Sequence, residues 1–377
     1  MLVLLLVLVI IDLILGFSIS NSASRVSRAR QPLEMRSYGL SAGYLAQKSN
    51  SKELVKVANA HTTGFRAGII KWWLRVRGAK TERSDSELKS GIAKFYDESS
   101  AIWLDVWGEH MHHGYYPLPH KDGKVDHQAA QVDMIDRSLE WAYGEGEKNP
   151  QPKSVVDVGC GVGGSSRHIA KKYNTIRKAR GISLSPYQIE RATEFTKEQG
   201  LEGVAVYSVD DAMDCKFADN EFDLTWSMES GEHMPDKKKF VGELFRITAP
   251  GGRIIIVTWC HRELKEGEAS LTDKETRLLN RINDAYYLPD WVPPSHYHGL
   301  AKELGLEDIR TADWSPFIAP FWPAVFFSAL VPRNFFRMMR TGITTIKGAI
   351  ATLWMLRGFQ KGLVRFALIT GRKPARL

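Results

Sequence analysis

The sequence predicts an α/β protein built on a doubly wound, mostly parallel sheet of seven strands, and three observations carry that prediction. Short apolar, β-branched runs alternate with stretches of helical periodicity between residues 126 and 314, the pattern of strand-helix-strand crossovers. The run VVDVGCGVGGSSR, Val155 to Arg167, couples a buried strand to a glycine-rich turn and the start of a helix. The polar clusters fall where predicted strands end, the edge at which such sheets bind ligands. The whole is a Rossmann-like sheet with a helical segment before its first strand and an aromatic insert near its C-terminal end.

Residues 1–15, MLVLLLVLVIIDLIL, form an apolar run broken by Asp12. It is short for a membrane span and suits a signal-peptide core, although no Lys or Arg precedes it; a signal anchor is the alternative. Beyond Gly16 the chain is rich in Ser and Arg and poor in acid, the composition of an organelle transit peptide or of a plain basic tail. Together the two pieces resemble the bipartite leaders of algae with secondary plastids, where Phe often follows the cleavage point as Phe17 follows Gly16. Farther on, IIKWWLRVRG places Trp72 and Trp73 among bases, which suits a membrane surface or a lid on the core. Thr81 to Ser86 then reads as a linker or helix cap. The expected division is a signal-like segment at 1–16, a transit-like and linker region at 17–80, and one domain over 81–377, with its core at 126–314 and an apolar cap at about 316–359.

The formal charge of +8 belongs to the leader. Residues 1–80 hold 12 of the 51 bases and 3 of the 43 acids, which leaves 39 bases against 40 acids for the rest. No basic stripe interleaved with aromatics is present, and nucleic acid is therefore not an expected partner. The three cysteines, Cys160, Cys215 and Cys260, are scattered without metal spacing, which fits a reducing interior.

The domain's elements follow in order. Tyr96 to Pro117 is dense in Trp, Tyr and His and reads as a segment covering a cofactor. Its His110, His112 and His113 lack the spacing of common zinc sites, and no metal is expected. Asp126 to Trp141 is an entry helix. Strand Ser154 to Val158, helix Ser165 to Tyr173, strand Arg180 to Leu184 and helix Pro186 to Gln199 come next, with Pro opening the last helix and Gly200 ending it. Strand Val204 to Val209 ends at Asp210 and Asp211, and strand Phe222 to Trp226 leads into SMESGEHMPD. A helix from Lys238 to Thr248, a turn at APGG and strand Arg253 to Trp259 close this part. Glu268 to Asn283 and Ser295 to Leu304 are helical by pattern, and Asp308 to Ala312 and Phe366 to Thr370 supply the sixth and seventh strands. Between them Pro316 to Phe359 is aromatic, apolar and interrupted by Pro320, Pro323 and Pro332, too broken to span a bilayer. It is ordinary core, or a cap for a lipid-like substrate or membrane surface.

Gly159, Gly161 and Gly164 satisfy the dinucleotide pattern G-x-G-x-x-G, which alone fits many strand-turn-helix units. Asp157 and Gly163 complete D-x-G-x-G-x-G. A carboxylate in that place welcomes a cationic ligand and repels a pyrophosphate, which favours S-adenosylmethionine.

With VVDVGCGVGG, GISLSPYQ, VDDA, WSMESGEHMPD, APGGRIIIVTWCHR and DAYYLPDW on the page, the chain from about residue 88 onward resembles the gamma-tocopherol methyltransferases of plants and algae. The resemblance implies a class I methyltransferase that moves a methyl group from S-adenosylmethionine to a ring carbon of gamma- or delta-tocopherol, at a plastid membrane. By motif, Asp157, Gly159, Gly161 and Gly163 would hold the methionine end of the cofactor, and Asp211 with Ala212 the adenine. The second strand lacks the usual ribose-binding acid of wider methyltransferases, and Ser183 with Gln188 stand in as candidates. Ser227 and Tyr115 are further cofactor candidates. Methylating a phenolic ring is eased by losing the phenol's proton, whose reference pKa is about 10. Glu229 and His233, four residues apart, are the catalytic candidates, a helical turn putting both on one face, with Glu232 as alternative. An amine, sterol or prenylquinone methyltransferase, or a noncatalytic lipid-binding protein, would share parts of this pattern.

Overall fold

The structure is a computed structural model and describes residues 78, 80–118, 126–144, 150–322 and 343–375. The leader, the Trp72 and Trp73 segment and residues 323–342 of the aromatic insert lie outside the described residues.

Helix α1 (Asp85–Trp107) opens with a capping box: Ser84 accepts from the Glu87 N–H and Glu87 reaches back to the Ser84 N–H. The expected cap over residues 81–86 is thus an N-cap. Helix α2 (His127–Tyr143) follows, capped by Asp126. The sheet then takes shape through β1 (Ser154–Val158), α3 (Gly164–Lys172), β2 (Lys178–Ser183), α4 (Pro186–Glu198), β3 (Ala205–Val209) and β4 (Phe222–Met228). Helix α5 (Lys237–Ile247), β5 (Thr248–His261), α6 (Asp273–Tyr286), α7 (Pro294–Glu303), β6 (Glu307–Asp313), the short α8 (Ser315–Ile318), α9 (Ile343–Gln360) and β7 (Val364–Arg372) complete the described chain.

The seven strands lie in the order β3-β2-β1-β4-β5-β7-β6. The first five run parallel, and β7 lies antiparallel between β5 and β6. This is the α/β fold the alternation predicts. Chain reversal between β1 and β4, where the order switches direction, places the carboxyl ends of β1, β2, β3 and β4 around one crevice. Helices cover both faces, so β1 and β4 carry near-continuous apolar runs with Val155, Val156, Leu224 and Trp226 wholly buried. Helix α5 shows how the faces are covered: Phe240, Val241, Leu244 and Ile247 share one stripe and are all buried. Each such side chain contributes roughly 1.5–3 kcal/mol of burial.

Two local expectations change. The predicted turn at residues 249–252 is instead a bulge inside β5: Phe222 pairs with Thr248 while Leu224 already pairs with Arg253. Gly251 takes φ +81° there, and a Cβ on Gly252 would sit 2.9 Å from the Asp223 carbonyl, so the two glycines let the strand bulge and continue. The helix expected from Glu268 begins at Asp273, because Thr272 and Glu275 form a capping box that fixes its start.

Candidate active site

Strand β1 ends in the glycine-rich turn, and the turn forms one wall of a cavity of about 110 Å³. Gly159 (φ +86°) and Gly161 (φ +54°) take backbone conformations that L side chains avoid. A Cβ on Gly159 would strike Ser230 at 2.3 Å, whereas one on Gly161 would meet only Met111, its sulfur 3.8 Å away. The loop therefore packs tightly behind and stays bare in front. Asp157 is buried beneath it and accepts from the Ser166 hydroxyl at 2.6 Å. Burial pushes its carboxyl up to about 7, with Ser166 only partly offsetting.

Ser183 ends β2 and donates to Gln188 Oε1 at 2.7 Å; both line this cavity. Asp211 and Ala212, just past β3, line it as well. Burial pushes the Asp211 carboxyl up, but Lys89 of α1 at 2.5 Å together with the Met213 N–H and the nearby lysine charges holds it below its usual range.

A strap, residues 108–117, crosses the mouth of the crevice. Its anchors come from four elements: Gln131 of α2 donates to the His112 carbonyl at 2.8 Å, Arg167 of α3 pairs with Glu109 at 2.6 Å, Gln199 after α4 also meets Glu109, and the Tyr116 N–H donates to Phe317. The fourth side of the crevice is the end of β4. Glu229 sits there at φ +51°, a left-handed conformation costly for a residue with a Cβ. Its Oε1 accepts the His113 backbone N–H at 2.6 Å, and its Oε2 accepts from the His113 ring at 2.8 Å and the Trp259 indole at 3.2 Å. Burial opposes the charge, but His113 outweighs it and holds the carboxyl below the usual range.

A second cavity, of about 150 Å³, lies beyond that wall and is aromatic: Phe95, Trp103, Trp259, Trp291, Phe321 and Trp322 are among its lining. Tyr96, His110, Met111, His112, Glu229 and His233 line both cavities. One crevice thus holds a polar chamber and an apolar chamber with a common wall of titratable groups. His233 meets the Tyr96 hydroxyl at 3.0 Å; burial pushes its imidazole down to about 4, so it is neutral near pH 7. Glu232, bonded to Thr258 at 2.7 Å, is pushed up to about 7 by burial and then by Glu229's charge. Lys237 pins this turn by donating to the carbonyls of Gly231, Glu232 and Met234.

The structure brings Asp157, Gly159, Gly161, Ser183, Gln188, Asp211, Ala212, Glu229 and His233 to one cavity. It places three candidates elsewhere. Tyr115 stacks on Phe317, centroids 4.8 Å apart, and packs on Trp314, because the strap turns it toward α8 and away from the cofactor side. Ser227 is buried within β4, its hydroxyl 2.6 Å from Ser230. A Cβ on Gly163 would strike the Tyr207 ring at 2.7 Å, so this glycine fits the loop onto β3 behind the cavity. The helical turn expected to align Glu229 with His233 is also absent: a 3-10 turn begins only at Gly231. The left-handed Glu229 aims both residues at the same space by another route. The sequence reading did not pick out Tyr96, His113 as Glu229's partner, or Lys237. Clustered His and aromatic residues in 96–117 were the available signal, but their partners lie far along the chain.

A model of the methyltransferase domain matches residues 156–256. The probable tocopherol O-methyltransferase, chloroplastic, of Oryza sativa subsp. japonica is 54% identical over 76% of this chain and 79% of that protein. The chain belongs to the tocopherol methyltransferase family. The tocopherol O-methyltransferase, chloroplastic, of Arabidopsis thaliana is 47% identical over 78% of this chain and 85% of its own. The fold of this tocopherol methyltransferase family member also resembles geranyl diphosphate C-methyltransferase from Streptomyces coelicolor A3(2), with a TM-score of 0.60 at 18% identity over 78% of this chain and all of that one.

The methyl donor is S-adenosylmethionine, and the polar chamber fits it. The bare face of Gly161 leaves room against Met111. The buried Asp157, which has no ion pair among the described residues and only the charge of Arg167 acting on it, suits a cationic ligand that would favour its ionised form.

Proposed function

We propose that the enzyme transfers a methyl group to the ring carbon beside the hydroxyl of gamma-tocopherol, and of delta-tocopherol, giving alpha- and beta-tocopherol. The observation that carries this reading is the wall shared by the polar and aromatic chambers. Asp157, Gly159 and Gly161 would hold the methionine end of the cofactor, Ser183 and Gln188 its ribose, and Asp211 with Ala212 its adenine. Bound there, S-adenosylmethionine supplies an electrophilic methyl. The aromatic chamber takes the chromanol head, whose apolar surface is worth about 25 cal/mol per Å² buried. Glu229 contributes a fixed negative charge at the wall, and neutral His233 contacts the acceptor. Holding ring carbon and methyl in line supplies much of the acceleration.

The relatives' names speak of O-methylation, yet a free phenol is what activates the neighbouring ring carbon, and the ring carbon is our assignment. Those relatives are named chloroplastic, which supports a plastid location for this chain, and the apolar, aromatic sequence of the insert supports peripheral membrane contact. The test is transfer from methyl-labelled cofactor to gamma-tocopherol with the product read by NMR. A labelled ring methyl beside an intact hydroxyl supports the reading. A labelled ether would reassign the atom methylated, and turnover of an amine or sterol alone would reassign the substrate.

A further inference from the structure

Glu229 is the residue a motif reader would choose as the base, but its bonds argue otherwise. Three donors already occupy its oxygens. A carboxylate only accepts, so the bond to His113 Nδ1 requires the ring's hydrogen on Nδ1. In the neutral imidazole that leaves Nε2 as a bare acceptor. That Nε2 is buried and has no partner among the described residues. Leaving a buried polar atom unpaired is unfavourable, and it is retained where a ligand completes it. The ring lines the aromatic chamber and is clamped there by Phe321, Trp259 and Trp322, with centroids 4.0, 4.9 and 5.2 Å away.

Three other histidines line the chamber. His233 is bonded to Tyr96 and His112 to the His113 carbonyl, and each of the three, like His113, keeps one buried ring nitrogen without a partner among the described residues, so the orphan nitrogen alone does not single out His113. Among the described bonds, only His113 of the four has a carboxylate on its second nitrogen, where a positive charge on the ring would be met directly.

We infer that His113 accepts the phenolic proton of the methyl acceptor at Nε2, with Glu229 as the residue that fixes its tautomer. The inference rests on the proposed phenol methylation. The acceptor's O–H bond breaks and its proton goes to Nε2, while the electron pair enters the ring. The new carbon-methyl bond forms as the sulfur-methyl bond breaks, the latter's electrons staying on sulfur. The methylated carbon then loses its hydrogen as a proton to solvent, the ring regains aromaticity, and Nε2 returns its proton to the oxygen. One proton is released overall, and His113 ends as it began.

The experiment combines ¹⁵N-imidazole NMR of the resting protein with kinetics of His113→Gln. The signal lost in His113→Gln assigns the ring. We expect hydrogen on Nδ1 and none on Nε2, a fall in kcat of about 10²-fold or more in His113→Gln, and calorimetric binding of S-adenosylhomocysteine close to wild type. Binding gamma-tocopherol with S-adenosylhomocysteine should also shift the acceptor's absorbance toward phenolate in the wild type alone. Hydrogen on Nε2, or a His113→Gln variant within threefold of wild-type kcat, overturns the assignment. If His113→Gln does not fold, His113→Asn takes its place for the assignment, the kinetics and the absorbance comparison. A wild type with the expected tautomer that methylates no tocopherol defeats the phenol-methylation reading, and this proposal with it.

Discussion

Gly161 and Gly163 look alike in the motif and do different work in the structure. Both have positive φ, so a side chain at either is strained by about 1–2 kcal/mol. Beyond that, a Cβ at Gly163 drives into the Tyr207 ring, while one at Gly161 enters open space facing Met111. Gly163→Ala should therefore lower the urea midpoint more than Gly161→Ala, and Gly161→Ala should weaken cofactor binding more than its stability loss explains. Paired urea and calorimetric titrations check the contrast. Asp157 adds a pH dependence. Its folded carboxyl is raised to about 7 from an unfolded value near 4, so between those limits the folded chain holds the proton more tightly. The site's contribution to stability is thus full below about pH 4 and is lost as pH rises through 7. A cation beside Asp157 favours the ionised form, so cofactor binding at pH 6 should expel a proton and tighten as pH approaches 7. Calorimetry at pH 6 in two buffers of different ionisation enthalpy should show that release in the wild type and not in Asp157→Asn. These residues were legible because acid and glycines recur at fixed spacing. His113 was not, since its bond to Glu229 spans 116 positions and no local pattern announces it.

The strands and the helices between residues 126 and 304 were legible to within a few residues because each carries its own period and its own caps, whereas α1 was read only as a cap and a covering segment and α9 only as apolar insert. Asp236, Thr272 and Ser185 each accept from a helix's first turn, and the helices start there. The bulge in β5 escaped because APGG has turn chemistry, and only pairing with β4 on one side and β7 on the other keeps the strand continuous. The strap over residues 108–117 was legible as part of a covering segment, but its path was not: it has no regular hydrogen-bond period, and its position is set by side chains of α2, α3 and Gln199 after α4. Gln131 is the most exacting of these, since its amide donates to the carbonyls of both His110 and His112. Gln131→Leu leaves both carbonyls without that donor and should destabilise the fold by about 1–3 kcal/mol. Hydrogen exchange should accelerate in residues 109–113, and methyl transfer should fall further than cofactor affinity, because the strap carries His113 and Met111 to the wall between the chambers. Unchanged exchange in the strap would show that other contacts hold it.

The molecule as a whole joins a legible half to an illegible one. A doubly wound sheet places its ligand at the switch in strand order, here between β1 and β4, and the glycine loop marks that place in the sequence. The aromatic chamber is assembled from α1, the strap, α2, the turn after β4, β5, α6 with the chain after it, Phe321 and Trp322 beyond α8, and α9, whose contributions only the completed fold brings together. The central claim is that the acceptor's ring occupies that chamber and meets the donor across the wall of Tyr96, Glu229 and His233. The most direct measurement is a crystal structure of the enzyme with S-adenosylhomocysteine and gamma-tocopherol bound together. The account predicts the chromanol ring among Trp259, Trp291 and Phe321, its hydroxyl hydrogen-bonded at His113 and the neighbouring ring carbon turned toward the cofactor's sulfur. A chromanol bound outside this chamber, or one whose ring carbon faces away from the sulfur with His113 and Glu229 untouched, would contradict it.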